Sequence, residues 1–194
     1  MKPTEYGIQI ASDLQAFFEG ELRPHFPQVK GVETGLPLSY VAKVLADPPT
    51  PSGSQGWCSL YVSLFEKDAL PSEKLQTLAS LADECLFFLG MYRDSLEVTR
   101  TAQVASRLGK TAYFEASRLC QSGANADLFA SLSAHFEPIT VAVTELCDRY
   151  LPPAQKPEDL LRYFKRWMEM PNPRLERILR EGGFPLWSSA RGKR

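Results

Sequence analysis

The residue that most invites a chemical reading is Asp83, which lies in the most apolar stretch of the chain, just ahead of the run Cys85-Leu86-Phe87-Phe88-Leu89-Gly90-Met91. A carboxylate taken out of water is costly unless it is hydrogen-bonded, so Asp83 must either have a partner or border a cavity. Tyr92 and Tyr113 fall in segments expected to pack close by. Two roles follow. In one, Asp83, Tyr92 and Tyr113 line a small pocket that holds a ligand. In the other, which the sequence favours, Asp83 ties helices together by accepting a hydrogen bond from a tyrosine hydroxyl or a backbone amide.

The other reactive residue types do not form a constellation. A zinc or di-iron carboxylate site needs ligands one helical turn apart, as in Glu-x-x-His, because that spacing aims two ligands at one ion. Neither His25, among prolines, nor His135, with Glu137 two residues on, supplies it, so no metal and no cofactor is expected. Gly-x-Ser-x-Gly and Gly-x-x-x-x-Gly-Lys-Ser/Thr are both missing, and no cysteine has an evident histidine partner. Catalysis is therefore disfavoured. Cys58, Cys85, Cys120 and Cys147 are far apart and mostly inside apolar helical patterns, as free thiols acting as small hydrophobes.

The elements that must position Asp83 are helical. Tyr6, Ile10, Leu14, Phe17 and Phe18 mark an amphipathic helix over 4–22, stopped by Pro24, and a short helix is expected from Leu38 to Ala46. Residues 47–56 combine turn formers with a lack of apolar anchors and read as a flexible loop. Trp57 to Phe65 fits a helix face or a strand and is assigned to helix for want of a pairing partner. After Pro71, Leu75, Leu78, Ala82, Cys85, Leu86 and Leu89 form one stripe and Leu81, Phe87 and Phe88 add apolar residues opposite, which places this helix at the centre. Ala105, Gly109, Ala112 and Ala116 let another helix approach closely.

Phe129, Leu132, Phe136, Ile139, Val143, Leu146 and Tyr150 then alternate spacings of three and four over three heptads. Pro138 removes a backbone donor and should kink this helix near Ala134 to Glu137. Two shorter helices follow Pro157 and Pro173, the second closed by Gly182-Gly183. The expected architecture is an all-α, single-domain helical bundle of about seven to eight helices over residues 1–187, with a disordered basic tail over 188–194.

Several of these segments, in order, resemble an uncharacterised bacterial family of all-helical proteins. They are Tyr40-Val-Ala-Lys-Val-Leu45, Leu78-Ala-Ser-Leu-Ala-Asp83, Leu86-Phe-Phe-Leu-Gly-Met-Tyr92, Gly109-Lys-Thr-Ala-Tyr113, Leu161-Arg-Tyr-Phe-Lys-Arg-Trp167 and Pro173-Arg-Leu-Glu-Arg-Ile-Leu-Arg180. The resemblance spans roughly residues 36–184. It implies a helical fold and points to no established activity.

Composition sets the outer limits. The 194 residues, 44% apolar, suffice for one core, and no run approaches the roughly 20 residues of a membrane span. With no apolar signal core at the start, the protein is expected in the cytoplasm. The net charge of −1 offers no global field for nucleic acid, yet from residue 155 onward ten Lys/Arg face five acids. The basic residues there alternate with Tyr163, Phe164 and Trp167, which reads as a solvated helix face with inward aromatics rather than a nucleic-acid surface. An acidic front and basic rear can attract each other within or between chains. Together with the heptad stripe, they favour a non-catalytic protein-interaction or self-association module, acting on a protein partner or as a homo-oligomer. An enzyme or sensor with a small-molecule ligand near Asp83 is the alternative.

Overall fold

A computed structural model describes residues 10–26, 35–49, 56–63, 70–93, 101–121, 123–151, 154, 156–169, 173–184 and 186. These residues are all-α, with no strand among them. The helices are α1 (Ile10–Leu22), α2 (Gly35–Ala46), α3 (Gly56–Ser63), α4 (Pro71–Met91), α5 (Ala102–Leu119), α6 (Gly123–Ala134), α7 (Phe136–Arg149), α8 (Pro157–Glu169) and α9 (Pro173–Glu181). The expected loop is described only at its margins, because 50–55 lie outside the described residues, as do 4–9 of the first helix and the whole tail 188–194. Of the segment 57–65 expected to be helical, Trp57 to Ser63 is helical and 64–65 lie outside the described residues. No described helix is long and apolar enough to cross a membrane.

The chain falls into two compact units, residues 1–144 and 145–194. The physical reason is that each half buries a core of its own.

The first unit is built on α4. Pro71 opens it at a position where the missing amide hydrogen costs nothing, and the Glu73 carboxylate accepts a hydrogen bond from the Leu70 amide at 3.2 Å, one half of a capping box. Leu78, Leu81, Ala82, Cys85, Leu86, Phe87 and Leu89 are all buried, so the helix is apolar nearly all round and central. Its main partner is α5, which in turn packs on α6, while α1 packs on α2. Close approach depends on two glycines. A Cβ on Gly109 would collide with the Phe136 ring and stand 2.9 Å from the Cys85 Cβ, and one on Gly90 would stand 2.5 Å from Val143. The Thr144 hydroxyl, directed at the Thr140 carbonyl at 2.8 Å, also reaches the carbonyls of Leu89 and Gly90 at 3.4 and 3.3 Å.

Where the sequence suggests one helix kinked near Ala134 to Glu137 rather than two separate helices, α6 ends at Ala134 and α7 begins at Phe136, with His135 as the single turn residue between them. Hydrogen bonds continue across it, from the His135 amide to Ser131 O and from the Ile139 amide to His135 O. Pro138, which is exposed, has no amide hydrogen to donate to Ala134. The heptad stripe has a different fate from the expected one. Leu132, Phe136, Ile139, Val143 and Leu146 are buried and Phe129 half-buried, leaving only Tyr150, 58% exposed, in water. The stripe is core, and it cannot serve as an association face.

The second unit buries Tyr163, Leu175, Ile178 and Leu179, flanked by Leu160, Phe164, Trp167 and Phe184. The Asp159 carboxylate accepts from the Lys156 amide at the start of α8. At the end of α9, Gly183 takes φ 74° and the Phe184 amide donates to Leu179 O at 2.8 Å, the closure that the glycine pair predicts.

Candidate functional site

Asp83 faces two tyrosines. The Tyr113 hydroxyl on α5 donates to Oδ1 at 2.6 Å, and the Tyr40 hydroxyl on α2 straddles the carboxylate at 2.9 and 3.0 Å. Aromatic rings wall the group. Tyr40 meets Tyr113 and Phe129 edge to face, with centroids 6.4 and 5.9 Å away, and Phe129 stacks on Tyr113 at 5.9 Å. Phe136 lies 6.0 Å from Tyr113 on another side. One carboxylate thus gathers α2, α4 and α5, and the rings around it add α6 and α7.

Burial is the main influence on Asp83 and raises its pKa to about 6; the hydrogen bonds from Tyr113 and Tyr40 and the nearby Lys43 ammonium pull the other way. Both tyrosine hydroxyls are pushed well above their ordinary value, first by burial and then by the Asp83 charge. They therefore stay protonated donors, and neither is a base or nucleophile at neutral pH. One edge of the carboxylate borders a cleft of about 240 Å³ shared with Lys43, Asp47 and Ser80.

Of the residues expected at this site, Asp83 and Tyr113 come together and Tyr92 does not. Tyr92 ends α4, is 50% exposed, and packs its ring on Phe87 and Phe88 at 5.9 and 5.8 Å. Nine residues beyond Asp83 is two and a half turns, which puts it on the opposite face and roughly 13 Å along the axis. Tyr40 takes the place assigned to it. The signal was its position beside the inward Val41, Val44 and Leu45, which sets a hydroxyl at the edge of a buried face.

Three further buried charges were not singled out from the sequence. Glu84 accepts a hydrogen bond from the Trp57 indole at 2.9 Å, which fastens α3 to α4. In the second unit Arg166 pairs with Asp148, both buried. Among the described residues no three His, Cys, Asp or Glu side chains converge, and the His135 ring engages Ser131 O at 3.1 Å. Cys85, Cys120 and Cys147 are free thiols, with burial pushing Cys147 up to about 11.

These features define an all-α protein with an aromatic-walled carboxylate between helices, a class with no fixed chemistry. No protein-family model, no curated protein and no solved structure matches the chain.

Proposed function

We propose that the protein acts by association rather than catalysis, and that the outer face of α8 meets an acidic surface on a second copy of the chain. The carrying observation is a pair of apolar side chains left in water: Leu161 is 54% and Met168 65% exposed. Seven residues apart, they share one helix face, with exposed Arg162 and Lys165 between them. Apolar residues rimmed by charge are the usual makings of a protein contact.

Charge supports a second copy as the occupant. Residues 145–194 carry 11 Lys/Arg against 7 Asp/Glu, whereas residues 1–144 carry 11 against 16. Opposite fields of this kind steer two copies together and weaken with salt.

Sedimentation velocity tests the reading. A concentration-dependent dimer is expected, loosened by salt and abolished by Leu161→Asp with Met168→Asp, whose circular dichroism should match the wild type. A protein that stays monomeric at about 100 µM in low salt would exclude self-association of useful strength.

A second reading, a sensor or enzyme with a small ligand, rests on the cleft beside Asp83. It is the weaker one because both carboxylate oxygens already accept tyrosine hydroxyls. A small molecule retained in native mass spectrometry by the wild type and lost from Asp83→Ala would favour it.

A further inference from the structure

A second cleft in the first unit, of about 370 Å³, shares no lining residue with the cleft beside Asp83. Arg93, just beyond α4, and Gln103, Ser106 and Arg107 on α5 line it, with Glu137 of α7 on the remaining side. Its volume falls in the range of small-molecule sites, roughly 300–1,000 Å³.

We propose that this cleft binds a small organic anion, a carboxylate or phosphate monoester that also carries a hydroxyl or amine. Among the described residues the lining carries the guanidinium groups of Arg93 and Arg107 and the Glu137 carboxylate. Arg107 is exposed and has no ion-pair partner among the described residues, and the Glu137 side chain has none either. Arg107 thus keeps its planar fork of donors for an anionic oxygen pair, the geometry that arginine recognises best. Gln103 and Ser106, one turn and one residue before it on α5, add neutral donors on the same wall. Glu137 selects for a ligand that brings a hydrogen-bond donor, since a bare anion beside it gains nothing and is repelled. Leu89 and Val141 line the same cleft and suit a short carbon skeleton.

The test is titration of the full chain at constant ionic strength with inorganic phosphate, glycerol 3-phosphate and malate, followed by calorimetry and by amide chemical shifts. The two organic probes separate a phosphate from a carboxylate ligand, and inorganic phosphate reports the anion alone. At least one organic probe should saturate and move the amides of 102–107 and 137–141. Arg107→Gln, a change at an exposed position, should weaken that probe about tenfold or more. Glu137→Gln should weaken the organic probe while leaving inorganic phosphate unchanged or stronger. If no probe saturates below about 10 mM, or Arg107→Gln binds as the wild type does, or the shifts fall elsewhere, the proposal is overturned.

Discussion

The Tyr113 hydroxyl and Asp83 Oδ1, thirty residues apart in sequence, stand 2.6 Å from each other at the junction of α4 and α5. Tyr113 is wholly buried, so its hydroxyl has no water to fall back on if the carboxylate is removed. At pH 5, where Asp83 is largely neutral and its removal relieves no charge, Asp83→Ala should cost about 1–3 kcal/mol of unfolding free energy and Tyr113→Phe a similar amount. The double variant should lose less than the sum by about 1 kcal/mol, since one bond is broken only once. Strict additivity in denaturant titrations would count against the tie.

The same carboxylate should leave a mark on the pH dependence of stability. Its folded pKa is raised to about 6, whereas the unfolded chain keeps an ordinary value near 4. Between those limits the folded protein holds more protons than the unfolded one, so stability falls as pH rises from about 4 to about 6 and is level above. Asp83→Asn lacks this slope. The stability advantage of the wild type over the variant should therefore shrink between pH 4 and 7, by an amount on the order of 2 kcal/mol. An unchanged difference across that range would contradict the burial of the charge.

Much of this site was legible in the sequence, because an Asp in the apolar part of a helix is an anomaly and the small-residue face around Gly109 announces a close neighbour. Tyr92 was misplaced for a geometric reason: nearness in sequence on one helix ignores the 100° turn per residue, which carries position 92 to the far side of Asp83. Tyr40 was passed over because it lies 43 residues away, and only tertiary packing brings it in. The heptad stripe was read correctly as apolar and wrongly as spare, since periodicity shows that a face is buried without showing what buries it. The Asp148–Arg166 pair has no signature at all, as surface helices carry the same residue types.

Glycine packing gives a test of opposite signs. At Gly109 an added methyl would collide with Phe136 and Cys85, an overpacking that costs about 1–3 kcal/mol and outweighs the gain in helix propensity of about 1 kcal/mol. At Gly20 on α1 nothing lies within 4 Å. Gly109→Ala should lower the melting temperature and Gly20→Ala should raise it slightly; the same sign for both would mean that the α4–α5 contact is looser than described.

In the second unit, Arg166→Met would strand the Asp148 carboxylate in a buried position, at a cost of about 3–5 kcal/mol. Lys165→Met, next to it but exposed, should stay within about 0.5 kcal/mol of the wild type. Hydrogen exchange of α8 and α9 amides separates the outcomes, since only the first variant should lose protection there, and equal protection in both would deny the pair its structural role.

Packing in the first unit joins neighbours in sequence, α1 with α2, α4 with α5 and α5 with α6. Pairs of that kind meet after closing short loops, which favours rapid formation. The Tyr40–Asp83 bond is of another sort, spanning 43 residues and tying α2 to α4, so by loop-closure cost it is expected to form after the α4–α5 contact. In kinetic terms the hydroxyl of Tyr40 is a late clasp: it contributes little to the speed of assembly and much to how long the assembled state lasts before it opens.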